Sequence, residues 1–307
     1  MRIGILEPYN FSARALSLLR HRGDVSSFDG ENLDSFIHDK DILFARLKYY
    51  LGPTFFEKAK RLKVICSPTT GLNHIDMNET DRKGIKILSL KGQRNFLMNI
   101  RATPEHAFGL IIALLRNYKD AFLNSRNRIW DREKFIGREI YKNTFGIIGL
   151  GRVGILLAKY LTAFEGKVFF YDKKKAIPVP AGVKRARSLP DLVRRSNVIV
   201  LCAAYEGERV IDKKMIDLMK DRYFVNIARG ELVDERYLIS KIKQGHFRGA
   251  ALDVITDEMR QNDLSKLLPL AEKFNLIITP HIGGATVDSM QKTEEWMAHW
   301  LIESLKG

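Results

Sequence analysis

Cysteine is scarce: Cys66 and Cys202 are the only two in 307 residues. Both sit in apolar, strand-like runs, so they read as buried free thiols in a reducing compartment, with the cytoplasm as the expected location. No apolar run approaches the roughly 20 residues that a membrane-spanning helix needs. The opening Met1-Arg-Ile-Gly-Ile-Leu6 is too short for the apolar region of a signal peptide and reads as a first strand. Internal repeats and low-complexity segments are missing. So is any run of six basic residues, although the formal net charge is +15. Nucleic acid, a membrane surface or anionic small molecules would each suit that charge. The Lys and Arg are scattered, with short clusters at Lys173–Lys175 and Lys184-Arg-Ala-Arg187, and no nucleic-acid motif accompanies them. A solvated basic surface is therefore expected, compatible with an anionic substrate, with no nucleic-acid partner and no metal site.

With 45% apolar and 28% charged residues, the chain has the composition of a soluble globular protein. It is long enough for one large or two ordinary domains. The most informative stretch is Thr144-Phe-Gly-Ile-Ile-Gly-Leu-Gly-Arg-Val-Gly154. Phe145, Ile147, Ile148 and Leu150 read as a strand buried on both faces. Gly149, Gly151 and Gly154 supply G-x-G-x-x-G at the turn, and Ile155–Phe164 continues at helical period. Lys167–Asp172 is a second strand ending in an acid 18 residues past Gly154. The order has a physical reason. Gly149 permits a tight turn, Gly151 lets a pyrophosphate approach the backbone, and Gly154 lets the helix pack closely with its N-terminal N–H groups facing the anion. Asp172 would then accept hydrogen bonds from the adenosine ribose hydroxyls and repel a 2′-phosphate, favouring NAD over NADP. Lys173–Lys175 stand close enough to offer a cation to that phosphate.

Residues 1–100 alternate short strands (2–6, 24–29, 41–46, 63–67, 85–88) with helical stretches (11–22, 54–61), the signature of a parallel sheet with helices on its faces. No phosphate loop occurs there. Residues 89–101 read as irregular. Thr103 is placed as the N-cap of a helix with Pro104 at its first position, followed by the apolar stretch 107–117. Residues 119–143 are charged and aromatic, with no element assigned. Beyond Asp172, strands are expected at 197–202, 224–228, 248–254 and 276–279, with helices at 189–195, 211–219, 232–244 and 287–305.

In a doubly wound sheet, ligands bind outside the carboxyl ends of the strands. Arg229, Asp253 with Glu258 beyond it, and His281 all follow such ends. An Arg clamps a carboxylate with two parallel hydrogen bonds. A His exchanges a proton near neutral pH, and a carboxylate beside it orients the ring and favours its charged form. Hydride transfer at an alcohol carbon next to a carboxylate needs that set. Each residue alone has an ordinary alternative: a surface ion pair for Arg229, a solvated loop acid for Glu258, a structural histidine for His281. His74 and His106 are read as structural.

The segments Asn226-Ile-Ala-Arg-Gly-Glu-Leu-Val-Asp234, Gly249-Ala-Ala-Leu-Asp-Val254 and Thr279-Pro-His-Ile-Gly-Gly284 resemble the D-isomer-specific 2-hydroxyacid dehydrogenases. The 29 residues from Arg229 to Glu258 and the 23 from Glu258 to His281 suit that family's catalytic triad. The resemblance covers nearly the whole chain. It implies an α/β fold: a Rossmann-like doubly wound parallel sheet domain over 101–284, binding NAD, inserted into a smaller flavodoxin-like α/β substrate domain built from 1–100 and 285–307. It implies hydride transfer between NAD(H) and a D-2-hydroxy or 2-keto acid, and a homodimer formed through the cofactor domain. By the same resemblance Arg229 binds the substrate carboxylate and polarises the keto oxygen, His281 is the acid/base and Glu258 its partner. Thr70 and Gly71 hold the carboxylate through backbone N–H groups. Thr103 lies near the nicotinamide, Arg152, Val153 and Asp172 contact pyrophosphate and ribose, Ala228 and Asp253 surround the nicotinamide, and Gly284 lies close by.

Three positions depart from the family pattern. Met259 stands where a Pro commonly follows the Glu. Cys202-Ala-Ala204 replaces His-x-Pro, with two residues missing after it. The loop Ser67-Pro-Thr-Thr-Gly71 lacks the Arg that some phosphoglycerate-using members place nearby. Two rival readings share the motifs: a dehydrogenase of another small anion such as formate or phosphite, and an NAD(H)-sensing protein of the corepressor type.

Overall fold

The structure is a computed structural model that describes residues 1–258 and 264–305; Met259 lies outside them. Two compact units are present, Met1–Ile100 with Ala285–Gly307, and Arg101–Gly284.

The first unit begins β1 (Arg2–Ile5), α1 (Ala13–Arg20), β2 (Asp24–Ser27), α2 (Leu33–His38), β3 (Ile42–Phe44) and α3 (Pro53–Lys58). It continues β4 (Val64–Ser67), α4 (Met77–Lys83), β5 (Lys86–Ser89) and α5 (Arg94–Leu97). The five strands are all parallel in the order β2-β1-β3-β4-β5, the flavodoxin-like order. Alternate residues of each strand point to opposite faces. Ile42, Phe44 and Cys66 join one apolar cluster, and Leu43, Ala45 and Ile65 join the other.

The second unit holds α6 (Ala102–Leu115), α7 (Tyr118–Arg126), β6 (Thr144–Ile148), α8 (Arg152–Ala163), β7 (Lys167–Tyr171), β8 (Val183–Arg185) and α9 (Leu189–Arg195). After these come β9 (Val198–Leu201), α10 (Lys213–Leu218), β10 (Tyr223–Asn226), α11 (Glu235–Lys243), β11 (Gly249–Leu252), α12 (Leu268–Lys273) and β12 (Leu276–Ile278). Its seven parallel strands run β12-β11-β10-β9-β6-β7-β8. Counted from β6, this is the doubly wound 3-2-1-4-5-6 order with one strand added, and its switch point lies between β6 and β9. Four central strands are buried on both faces. Ile147, Val200 and Val225 pack under α6 and α8, while Ile148, Leu201 and Phe224 pack on the side of α9, α10 and α11.

The last helix, α13 (Val287–Ser304), belongs to the first unit and packs on α1. Met297, Ala298 and Leu301 enter the cluster of Ile3, Ile5 and Phe44, at about 1.5–3 kcal/mol for each large apolar side chain removed from water. Trp296 stacks on Phe96 at 5.0 Å. On the same helix Glu294 is fully buried. It pairs with Arg46, which follows β3, and accepts the Ser12 N–H at 2.7 Å. Burial pushes the Glu294 carboxyl up, against the charge of Arg46 and the Ser12 N–H. Ser12 also caps α1 by accepting the Ala15 N–H and donates to Glu295 at 2.9 Å.

The structure corrects several local expectations. Helix α6 starts at Ala102 with Arg101 as its N-cap and no side-chain cap, so Thr103 lies inside the first turn. The region 119–143 contains most of α7, which buries no residue and so carries no apolar periodicity to read. Arg94–Leu97 is a short helix in the stretch expected to be irregular. Edge strand β8 and helices α2, α4 and α12 are three to seven residues long and pass below the length at which pattern is informative. The helix expected from 232 starts at Glu235, because Asp234 caps it by accepting the Tyr237 N–H.

The buried pair yields a stability prediction. Glu294→Ala leaves the Arg46 guanidinium, only 17% exposed, without its charge partner, and should cost about 3–5 kcal/mol. Urea unfolding measures it; a loss below about 1 kcal/mol, the size of an exposed pair, would show that water replaces the carboxylate.

Candidate active site

Two groups of side chains gather at the carboxyl ends of the second unit's strands. The first surrounds the turn after β6. Gly149 has φ +91°, and a Cβ there would come within 2.6 Å of the Ala203 Cα, so backbone segments touch at the switch point. A Cβ on Gly154 would meet the Gly149 carbonyl oxygen at 2.3 Å, which fixes how closely α8 approaches the turn. At Gly151 a Cβ would meet nothing within 4 Å. Gly151 is also the N-cap of α8, with no side-chain cap hydrogen bond. The turn therefore offers open backbone at a helix N-terminus, which suits a pyrophosphate. Arg152 and Val153 form the first turn of α8; burial pushes the Arg152 guanidinium down. Asp172 accepts the Leu150 N–H at 2.8 Å on one carboxylate oxygen and the Lys174 N–H at 2.8 Å on the other. A carboxylate has lone pairs beyond those two bonds, so ribose hydroxyls still find acceptors there. The turn thus fits NAD.

Lys173, the first of the three neighbouring lysines, is paired with Glu208 at 3.0 Å. Cys202, in place of the family's usual His, lies against the glycine turn. Burial pushes its thiol up to about 12, so it stays protonated.

The second group lies beyond β10, β11 and β12. The buried Asn226 shapes the turn that presents Arg229: its side chain accepts the Ala228 N–H at 3.0 Å and donates to the Arg229 carbonyl at 3.0 Å. Arg229 donates to the Ala228 carbonyl at 2.6 Å. Burial pushes its guanidinium down, opposed by the charges of Glu258 and Glu231. Gly230 then touches the loop after β11: a Cβ there would fall 2.1 Å from the Ile255 carbonyl carbon and the Thr256 N. Glu235 accepts the Thr256 N–H at 2.7 Å, fastening the same loop two residues before Glu258. A Glu258 carboxylate oxygen meets His281 Nδ1, and both side chains are less than one-fifth exposed. A carboxylate can only accept, so Nδ1 carries the proton and Nε2 is the nitrogen left for chemistry.

His281 has φ +52°, and a left-handed residue at the end of a strand has to be held there. Asp253, 2% exposed, does the holding. Its carboxylate accepts from Thr279 Oγ1 at 2.6 Å, Ile282 N at 2.9 Å, Gly283 N at 2.9 Å and His106 Nε2 at 3.1 Å. Its carbonyl takes the His281 N–H at 2.8 Å. Burial alone would push the Asp253 carboxyl up; hydrogen bonds from His106 and Thr279, the charge of His106 and the Gly283 N–H hold it below its usual range. A Cβ on Gly283 would lie 2.8 Å from that carboxylate and 3.5 Å from the Thr103 Cγ2, which puts Thr103 in the same cluster. Ala228 is buried at the end of β10, and a Cβ on Gly284 would meet nothing within 4 Å.

Thr70 and Gly71 belong to the first unit, after β4. There Thr69 Oγ1 donates to the Gly71 carbonyl at 2.8 Å, and Ser67 Oγ bonds Thr69 Oγ1 and the buried His74 Nε2. Asn226, Gly230, Glu235, Thr279 and Gly283 support the second group without having been assigned a role from sequence. Asn226 and Gly230 are the ones with a sequence signal, since they flank Arg229 at a strand end.

The family described as "D-isomer specific 2-hydroxyacid dehydrogenase, NAD binding domain" matches residues 108–283. The chain belongs to this family. As a D-2-hydroxyacid dehydrogenase it is an NAD-dependent oxidoreductase acting on CH–OH donors. It is similar to a glyoxylate reductase of Pyrococcus furiosus, 31% identical over 90% of this chain and 83% of that one. A D-3-phosphoglycerate dehydrogenase of Methanocaldococcus jannaschii is also 31% identical, over 95% of this chain and 56% of its own length. Among solved structures, D-lactate dehydrogenase of Aquifex aeolicus with NAD and lactic acid has a TM-score of 0.84 at 27% identity, covering 100% of this chain and 96% of that one. None of the described helices of this dehydrogenase is long and apolar enough to cross a membrane.

Asp253→Asn tests the loop anchor. It loses the charge behind four hydrogen bonds and should cost about 2–3 kcal/mol at pH 7. The wild-type carboxyl is held low, so its contribution is complete above the ordinary Asp value of about 3.9 and disappears as pH falls through the lower folded value. The stability gap between wild type and variant, followed by denaturant unfolding at pH 7 and pH 3, should narrow at the lower pH. An equal gap at both would show that the carboxylate charge is not what holds the loop.

Proposed function

We propose that this dehydrogenase reduces a small, unphosphorylated 2-keto acid to the D-2-hydroxy acid, with Arg229, Glu258 and His281 acting on substrate. The supporting observation is the His281–Glu258 pair: Asp253 fixes the loop that carries His281, and Gly230 fastens the Arg229 loop to the one that carries Glu258. NADH, when bound at the glycine turn, supplies the hydride. His281 Nε2 donates the proton to the carbonyl oxygen as it becomes an alkoxide, and takes it back in the reverse direction. Glu258 balances the imidazolium before transfer and keeps the ring oriented. Arg229 binds the carboxylate with its fork and polarises the adjacent keto oxygen. Its burial strengthens both interactions by excluding water. The unit 101–284 binds NAD, and the unit 1–100 with 285–307, to which Thr70 and Gly71 belong, is the substrate domain. Thr103, Ala228 and Gly284, together with Asp253, line the nicotinamide end. The loop Ser67-Pro-Thr-Thr-Gly71 has no basic side chain to meet a phosphate, which favours an unphosphorylated acid.

The test is NADH oxidation with glyoxylate, pyruvate, hydroxypyruvate and phosphohydroxypyruvate. Turnover should be fastest with one of the first three. Tight NADH binding without turnover on any of them would support an NAD(H) sensor instead. Arg229→Lys should lower kcat/KM by on the order of 10–100-fold, about 1.5–3 kcal/mol, with NADH affinity little changed. Glu258→Gln should lower kcat/KM for keto-acid reduction by on the order of 100-fold with NADH affinity little changed, because the imidazolium loses its counter-charge. An unchanged kcat/KM would remove Glu258 from the role.

The same proposal includes a homodimer through the unit 101–284. Phe122, Leu123, Ile129, Trp130, Ile136 and Tyr141 are all exposed in one stretch of its sequence, Trp130 by 94%, and exposed apolar side chains of that size are what a partner surface covers. Trp130→Asp should convert a dimer to a monomer in sedimentation analysis; a dimer that persists would put the interface elsewhere.

A further inference from the structure

Beside the glycine turn stands an arginine with no assigned role. Arg185 lies on the three-residue edge strand β8, in register with Phe170 of β7. The residue is exposed, yet its guanidinium is fully engaged with its own neighbourhood. The guanidinium carbon sits 4.7 Å over the Phe170 ring centre. Nη1 donates to the Asp172 carbonyl at 3.0 Å, and Nη2 donates to the Lys174 and Lys175 carbonyls at 2.8 and 3.1 Å. Three carbonyls of one turn are thus collected by the two nitrogens of one planar fork, a spread that the single nitrogen of an ammonium does not have.

The turn is held from its other side as well. The Lys174 N–H is spent on the Asp172 carboxylate, whose second oxygen accepts the Leu150 N–H of the glycine turn. Lys173 faces Glu208. With the turn in this form, the group presented beside the ribose position is a carboxylate, while the Lys174 N–H is occupied and Lys173 is paired with Glu208. A free 2′-hydroxyl can donate to that carboxylate. A 2′-phosphate meets that negative charge.

We propose that Arg185 is a positioning residue for cofactor choice: by fixing the Asp172–Lys175 turn it keeps Asp172 aimed at the 2′-hydroxyl and so sets the preference against a 2′-phosphate. The inference rests on Asp172 reading the ribose, so the experiment separates the two.

Direct binding of NADH and of NADPH is measured by titration calorimetry on wild type, Arg185→Ala, Arg185→Lys, Asp172→Ala and the double alanine variant. Wild type should favour NADH by at least about tenfold. Arg185→Ala should weaken NADH by on the order of tenfold and NADPH by less, so that the preference narrows at least about threefold. Arg185→Lys should fall between, since a single ammonium nitrogen cannot span the positions that Nη1 and Nη2 occupy. In steady-state kinetics the change should fall on KM for NADH rather than on kcat. In the Asp172→Ala background, Arg185→Ala should have little further effect, because both act through one contact. Equal loss of both cofactors in both Arg185 variants would reduce Arg185 to a fold support and overturn the proposal, as would full additivity with Asp172→Ala. An unchanged preference in Asp172→Ala would instead overturn the ribose reading itself. Should Arg185→Ala fold poorly, the lysine variant carries the same comparison.

Discussion

Four donors converge on the Asp253 carboxylate, and the position of His281 follows from them, because a histidine in the left-handed region has no local reason to stay there. Two of the donors are backbone N–H groups on the far side of His281, one is the hydroxyl just before it, and one is a helix-borne imidazole. The anchor works because it is buried. In water the same carboxylate would exchange its partners for solvent at little cost, whereas at 2% exposure each unmade bond would cost the desolvation of a donor or acceptor. Everything downstream, including the Nδ1 proton shared toward Glu258, depends on that loop standing still.

Much of the architecture was legible because strand burial leaves a pattern. The near-continuous apolar run at Phe145–Ile148 and the all-apolar β9 announce a sheet covered on both faces, and the glycine turn marks where it reverses. The insertion and the flavodoxin-like sheet came from family likeness, and no periodicity in residues 1–100 would have given the strand order. What stayed hidden was hidden for physical reasons. Helix α7 buries nothing, so hydrophobic spacing had nothing to report. Thr103 has the side chain of an N-cap, yet the helix begins one residue earlier and takes no side-chain cap.

The candidate site divides in the same way. Arg229, Glu258 and His281 follow strand ends and carry distinctive chemistry, so they could be nominated from spacing. Asp253 was nominated as a nicotinamide contact, whereas its carboxylate is engaged with partners 26, 29, 30 and 147 residues away. Pairings at such separations leave no mark in a single sequence. His106 was read as structural, and its bonds to Asp253 and Thr279 show what it supports: the loop that carries His281.

Gly230 has a consequence for how such an enzyme could acquire a new substrate. Its backbone lies so close to residues 255 and 256 that no side chain fits between the two loops. The arginine-bearing loop and the acid-bearing loop are therefore a single mechanical part, and neither can be shifted to make room for a longer or bulkier acid without dragging the other. With Arg229 as the proposed carboxylate clamp, room for a longer acid has to come from walls built elsewhere, while the spacing between Arg229 and Glu258 stays tied to this one contact. The absent methyl group would hold the proposed reaction in place and leave the substrate free to vary.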